Sequence, residues 1–269
     1  MRVLILAPHF AEYALRYANG LTNFATVSLL VSERNFHNET NGLSVEADPR
    51  LELQKLPLHT RRDRYLNLIA VIRRVADFRP DILHIQEVAH PLCFVTARFF
   101  RGRSKIFLTV HDPQPHSGSD SNIRPVDRWS RDIVRKNADI VVVHGQYCQD
   151  AFLLATHNSK LDTITTHHGK ILSPAPDQIR EPVPGRILFF GRMQEYKGLE
   201  TLATAAELLH SRGVQFSLHV AGTGLLGIHV ARSCIDRKAT MQPGGMNVSR
   251  TGGELGILSY TVVGHVART

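Results

Sequence analysis

The sequence is short of cysteine, of tryptophan and of any long apolar run. Its 269 residues include three cysteines, Cys93, Cys148 and Cys234, far apart and odd in number. No two of them form a CxxC pair, which argues against a cysteine zinc site and against a disulfide framework. A reducing cytoplasm suits such a chain. No stretch approaches the ~18 apolar residues of a membrane span. The opening run MRVLILA ends at Pro8-His9, too short for a signal-peptide core, and reads as a buried strand. Aromatic residues amount to only 7%, yet hydrophobic residues reach 43% and charged residues 21%, which excludes a disordered chain and predicts a real core. Acidic residues are fewer than basic ones, 24 against 32, for a net charge of +8. That excess points to phosphates or anionic lipid as partners, or simply to scattered surface arginines. No recognised nucleic-acid motif is present, and no nucleic-acid partner is expected.

What is present is alternation. Arg2–Ala7, Ala25–Val31, Leu51–Leu56, Asp81–Ile85, Lys105–Val110, Asp139–Val143 and Leu161–Thr165 are short apolar runs that read as strands. Between them Phe10–Leu21, Arg62–Phe78, Pro91–Phe100, Pro125–Asn137 and Gln146–Ala155 carry helical patterns. Asp139–Val143 is so continuously apolar that both its faces are expected to be buried, as in a central parallel strand. The alternation predicts a doubly wound parallel sheet, whose ligands bind beyond the carboxyl ends of the strands. Polar clusters fall there: Pro8-His9, His111-Asp112 and His144-Gly145. Four prolines, Pro174, Pro176, Pro182 and Pro184, mark residues 173–185 as a linker. A second unit follows, with strand Arg186–Gly191, helix Leu199–His210 and strand Val214–Ala221.

The segment FFGRMQEYKG at 189–198 carries the most specific chemistry. A buried strand ends at Gly191, where backbone can approach a ligand closely. Arg192 follows, and Lys197 stands just before the next helix. Two fixed cations beside a helix N-terminus suit a diphosphate, and they would stabilise charge developing on a diphosphate leaving group. The same residues also fit a surface turn with solvated cations.

FFGRMQEYKGLETLATAAELL with VQFSLHVAGTG resembles the start of the donor domain in retaining glycosyltransferases of family 4, which have the GT-B fold. The resemblance implies that Arg192 and Lys197 contact the diphosphate of a nucleotide sugar, beside Gly191. The upstream half agrees: TVHDP at 109–113 resembles the loop whose histidine lies near the transferred sugar, which matches His111 with Asp112 beside it. Val143-His144-Gly145 resembles the strand end lining the interdomain cleft, and THHG at 166–169 resembles the segment closing the acceptor domain, which brings in His168. His9 would lie at the acceptor pocket, although Pro8-His9-Phe10 lacks the glycine-rich turn many relatives have there. The implied fold is GT-B-like: a complete Rossmann-like domain over 1–172, the linker 173–185, and an incomplete second Rossmann-like domain starting at 186–224. The implied reaction moves a sugar from a UDP- or GDP-sugar co-substrate to a saccharide or lipid-linked acceptor with retention. No cofactor and no metal are implied, and no i, i+4 histidine pair suggests one. The basic stretches RFFRGRSK at 98–105 and RRDR at 61–64 could rest on anionic lipid at the inner face of the membrane, or be solvated helix faces.

Residues 225–269 break the pattern. They hold seven glycines, two acidic residues (Asp236 and Glu254) and one aromatic, Tyr260. The two glutamates eight positions apart that the family uses for the ribose and the sugar have no match, and no regular element is expected beyond 224. The reading that follows is a shifted reading frame or altered gene end, with an open sheet edge, exposed apolar surface and weak catalysis. A non-catalytic remnant or binding module is the alternative.

Overall fold

The most apolar run becomes the centre of a sheet. β1 (Arg2–Ala7) buries every residue after Arg2, and each fully buried leucine or isoleucine there contributes about 1.5–3 kcal/mol. The structure is a computed structural model that describes residues 1–40, 46–58, 61–114, 124–156, 161–169, 181–191, 194–222, 247–252 and 258–263. Arg192 and most of the proline-rich stretch lie outside the described residues. The chain divides into two compact units, one of Met1–Pro115 with Ile123–Ser173, the other chiefly Pro174–Thr269.

In the first unit β1 is flanked by β2 (Thr26–Ser32) and β4 (Ile82–Gln86), with β3 (Glu52–Leu56) beyond β2. On the other side follow β5 (Lys105–Val110), β6 (Ile140–His144) and β7 (Asp162–Thr166). The order is β3-β2-β1-β4-β5-β6-β7, every pair parallel. The order reverses between β1 and β4, the topological switch point of a doubly wound sheet. Alternate residues of each strand point to opposite faces, so one sheet has two cores. Val3, Ile5, Ala7, Val27 and Leu29 pack with Ala11, Ala14, Leu15 and Ala18 of α1 (Ala11–Leu21). Leu4, Leu6, Leu83, Ile85, Ile106, Leu108, Val141 and Val143 face the opposite side. They are covered there by α3 (Arg61–Phe78), α4 (Pro91–Phe100), α5 (Pro125–Asn137) and α6 (Gln146–Thr156).

Two expectations need correction here. β6 is not buried on both faces: its residues alternate between buried and half-buried. Helix α1 covers β1 and β2 but leaves the β5–β7 end of its face thinly covered, and Ile164 of β7 is 46% exposed there. A helix also appears where none was expected, α2 (Glu33–Thr40), with no buried residue. With no apolar stripe, it is held by Phe36, packed against the core, and by hydrogen bonds from its side chains. Asn35 Oδ1 accepts from the Ala11 N–H at 3.0 Å, and Glu39 Oε2 accepts from the Glu12 N–H at 3.1 Å. The first turn of α1 is thereby capped from outside the helix.

The second unit has β8 (Arg186–Phe190), a 3-10 turn at Glu195–Lys197, α7 (Leu199–Ser211) and β9 (Ser217–Gly222). Leu199, Ala206, Phe216, Leu218 and Val220 form its core, with Ile187 and Phe189 packed against them. β10 (Asn247–Gly252) and β11 (Leu258–Val263) join the same sheet, in the order β10-β11-β9-β8. This corrects the expectation of no element beyond 224. The segment LSYTVV is rich in β-branched residues, and backbone pairing with β9 is antiparallel. Among the described residues β8 is an edge of its sheet, and its outward Leu188 and Phe190 are 63% and 78% exposed, the apolar surface anticipated from the sequence.

Candidate functional site

The carboxyl edge of the larger sheet gathers histidines from four connections. His9 follows β1, His111 follows β5, His144 is the last residue of β6, and His168 lies just beyond β7. The sheet register alone brings these ends side by side, since β5, β6 and β7 are successive neighbours. The His144 ring centroid lies 5.2 Å from that of His111 and 4.8 Å from that of His168. One ring nitrogen from each of the three lies within 4.8 Å of the other two. Tyr13, on α1, packs against all of them, with centroid distances of 5.0, 5.5 and 5.1 Å to His111, His144 and His168.

His111 is held in place from beneath. Its Nε2–H donates to Oε1 of the buried Gln86, the last residue of β4, at 2.9 Å. Burial, with the neighbouring His144, His168, His9 and His84 adding to it, lowers its pKa to about 3. At neutral pH it is therefore a neutral imidazole that can exchange hydrogen bonds with a hydroxyl without adding charge. Burial first and His168 second also lower the pKa of His144. Burial, then Tyr17, raises the Tyr13 phenol to about 12, so it stays a hydrogen-bond donor.

The loop carrying His111 is fastened by an ion pair. Arg135 of α5 donates from Nε and Nη2 to both carboxylate oxygens of Glu87, at 2.5 and 2.9 Å. The same Nη2 donates to the Pro113 carbonyl at 3.3 Å, two residues past His111. Asp112 is exposed beside it. Behind burial, the Asp112 charge helps to raise the Cys148 thiol pKa. The turn after β1 contains strain. Phe10 has φ 62° and ψ 45°, a left-handed conformation that costs a non-glycine residue about 1–3 kcal/mol. Its ring lies 4.1 Å from that of His111, so the strain is held by packing at the site. His9 is fixed by Asn35, whose Nδ2 donates to His9 Nδ1 at 3.0 Å. Gly145 has φ 86°, and its N–H donates to the Thr166 carbonyl at 3.1 Å, tying the end of β6 to β7.

A cavity of about 480 Å³ opens beside the histidines, lined by Tyr13, Arg16, Tyr17, His84, Phe107 and Thr109 among others. His84 is fully buried at its wall, 2.7 Å from the Thr109 hydroxyl, and burial lowers its pKa to about 4. Above pH 6.5 both folded and unfolded chains hold His84 neutral. Below that, only the unfolded chain takes up the proton, so stability falls by roughly 1 kcal/mol per pH unit until about pH 4. Urea unfolding at pH 7, 6 and 5 should show this slope on top of the acid sensitivity that the lowered pKa values of His111 and His144 add, and His84→Gln should remove its own share of about 1 kcal/mol per pH unit. An unchanged slope would place the acid sensitivity elsewhere.

The larger cavity, about 890 Å³, lies at the opposite, amino end of the strands, where Asp81, Lys105 and Asp139 precede or begin β4, β5 and β6. Ligands of doubly wound sheets bind at the carboxyl end, so volume does not decide between the two. In the second unit, Gly191 directly follows β8 with φ 126°, and its N–H donates to the Ala221 carbonyl at 3.0 Å. Lys197 is exposed in the 3-10 turn, its Nζ 5.0 Å from the Tyr196 ring centre.

Of the residues expected from sequence, His9, His111, His144 and His168 come together, with Asp112 and Gly145 beside them. Gly191 and Lys197 belong to the other unit. Tyr13, Gln86 and the Glu87–Arg135 pair were not anticipated. Tyr13 sits at an apolar helical position, and the others are linked only by the tertiary fold.

A seven-stranded parallel sheet followed by a second α/β unit is a GT-B-like fold. Solved structures of that fold are similar over most of this chain. A glycosyltransferase from Rickettsia africae ESF-5 matches with a TM-score of 0.56 and 13% identity over 89% of this chain. The chain spans 65%, under two thirds, of that protein. An E. coli structure described as trehalose-6-phosphate, bound with UDP-2-fluoro glucose, matches at TM-score 0.53 and 13% identity, covering 89% of this chain and 70% of that one. The UDP-GlcNAc 2-epimerase from Neisseria meningitidis bound to UDP-GlcNAc gives 0.52 and 12% over 90% and 71% of the two chains. No curated protein matches significantly in sequence. The family described as the glycosyl transferase 4-like domain matches residues 10–164, more than half of the chain, and the protein belongs to that family.

Proposed function

We propose that this protein transfers a sugar from a UDP- or GDP-sugar to a saccharide or lipid-linked acceptor, with retention at the anomeric carbon, in the synthesis of cell-surface glycans. The observation that carries this reading is the convergence of His9, His111, His144 and His168 at the carboxyl edge of a family-4-like domain. The neutral His111 contacts the donor sugar through hydrogen bonds. Arg192 and Lys197 hold the diphosphate, and their charge offsets the negative charge that grows on it as the glycosidic bond breaks. The binding of UDP-GlcNAc and of UDP-2-fluoro glucose by proteins of similar fold supports a nucleotide sugar as donor. The reading is tested by incubating the full chain with radiolabelled UDP- and GDP-sugars and a lipid extract, then assigning the product linkage by NMR. Transfer with the donor's anomeric configuration is expected. Inversion, or conversion of UDP-GlcNAc to an epimer without transfer, would overturn it.

A second reading, a non-catalytic binding module, is favoured by the exposed Leu188 and Phe190 on β8. Its signature is the absence of saturable nucleotide binding.

The amino-end cavity is proposed to rest on anionic lipid at the inner membrane face. Phe99, Arg79, Arg103 and Lys105 line it, and the Arg103 guanidinium lies 4.5 Å from the Phe99 ring. Its carboxylates are engaged inward, Asp81 with the Arg2 N–H and Asp139 with the Ile106 N–H, both at 2.7 Å. No helix among the described residues is long and apolar enough to cross a membrane. Each basic residue near an anionic surface is worth about 1 kcal/mol. Arg103→Glu with Lys105→Glu should therefore lower co-flotation with phosphatidylserine vesicles at least tenfold, and unchanged flotation would remove the lipid contact.

A further inference from the structure

We propose that His111, His144 and His168 form a binding site for a divalent transition-metal ion of the zinc type. The argument uses the first unit alone and does not depend on the sugar-transfer reading. Three imidazoles arrive from three separate strand ends, and one ring nitrogen of each lies within 4.8 Å of the others. In a tetrahedral zinc site the ligand nitrogens stand about 3.3 Å apart, given Zn–N bonds of about 2.0–2.1 Å. Closing the difference needs side-chain rotations but no movement of the sheet.

The hydrogen bonds support ligation. His168 Nδ1–H donates to the Gly169 carbonyl at 2.9 Å, which leaves Nε2 with a free lone pair. His111 donates through Nε2 to Gln86, which leaves its Nδ1 lone pair free. Metal-ligating histidines are held in this way, one ring nitrogen donating to a carbonyl or amide oxygen while the other faces the ion. His144 completes the set. The Thr166 carbonyl lies within reach of its ring. Neither of its ring nitrogens makes a hydrogen bond of ordinary geometry, however, although both are out of contact with solvent.

A buried polar atom without a partner is costly, and a metal ion would satisfy it. Three neutral nitrogen ligands without a carboxylate favour zinc, cobalt or nickel over magnesium or calcium, and leave a further position open to water or a hydroxyl. The three histidines were expected at the site from the sequence, but no i, i+4 pair marked them as ligands, and only the sheet brings their rings together. An ion bound here would occupy the ground proposed for the sugar, so it would act as an inhibitor of transfer and not as its cofactor.

The test uses the full untagged chain, titrated with Zn²⁺ by calorimetry and with Co²⁺ by visible absorption. Single-site saturation is expected, with d–d bands of a low-coordinate nitrogen environment and no response to Mg²⁺. His144→Gln and His168→Gln should each weaken Zn²⁺ binding at least tenfold, while His167→Gln, next to the cluster and exposed, should leave it unchanged. His168 is itself exposed, so its substitution tests the site without disturbing the core. Circular dichroism melts check His144→Gln for folding. Absence of saturable Zn²⁺ binding, or binding that survives His168→Gln unchanged, overturns the proposal.

Discussion

Replacing Lys197 with alanine is expected to weaken UDP or GDP binding about 10- to 100-fold. One charged hydrogen bond to a phosphate is worth roughly 1.5–3 kcal/mol, and every 1.4 kcal/mol is a factor of ten. The substitution should cost the fold little. Lys197 is exposed, and the contact the structure gives its ammonium is the Tyr196 ring at 5.0 Å. Such an exposed cation–π contact is worth about 0.5–1 kcal/mol. The affinity loss should therefore appear with a melting temperature close to that of the parent chain. Lys136→Ala on α5 serves as the control for a general loss of positive charge. Lys197→Arg should recover part of the binding, because a guanidinium keeps the charge but not the point geometry of an ammonium. Equal affinity in the parent and in Lys197→Ala would remove this residue from the donor site.

The second large effect concerns stability. Glu87→Ala should destabilise the first unit by about 3–5 kcal/mol, because it leaves the Arg135 guanidinium buried without its carboxylate. Both partners are shielded: the Glu87 side chain is 3% exposed and that of Arg135 11%. The double variant Glu87→Met with Arg135→Met should be far milder than either single change. Apolar residues of similar volume fill the same space without stranding a charge. The double variant nevertheless loses the bond from Arg135 to the Pro113 carbonyl. It should therefore fold well while the loop carrying His111 exchanges its amide hydrogens faster. Urea unfolding and hydrogen exchange of residues 111–114 separate the two effects. A Glu87→Ala chain as stable as the parent would mean that the pair holds nothing.

The strands and most helices could be read from the sequence because burial writes itself into apolar runs. Leu4, Ile5 and Leu6 have no polar alternative in a strand covered on both faces. Helix α2 could not be read: ERNFHNET has no apolar stripe beyond Phe36, and much of what holds it is hydrogen bonding between Asn35 or Glu39 and a helix begun more than twenty residues earlier. The partial exposure of β6 was hidden for a related reason. VVVH looks the same whether one or both of its faces are covered, and coverage depends on where α1 ends.

At the site, His9, His111 and His144 stood out because they fall at the carboxyl ends of strands, where ligands of doubly wound sheets bind, and His168 through the family resemblance. Their partners did not. Gln86 reads as the polar end of a strand, Tyr13 as one more apolar helix position, and Arg135 as a solvated charge in a basic helix. Only the fold brings Glu87 to Arg135 across 48 residues. Phe10 shows a further limit. Its left-handed backbone occupies a position where glycine would be the ordinary choice, and its contact with His111 is invisible in sequence.

The central claim is that this chain recognises a nucleoside diphosphate joined to a sugar. Calorimetric titration of the full chain with UDP, GDP and their glucose conjugates addresses it most directly. The account predicts saturable heat at one site per chain for one of the two bases, tighter for the sugar conjugate than for the bare diphosphate. Flat titrations with every nucleotide, from a chain whose circular dichroism shows it folded, would contradict it.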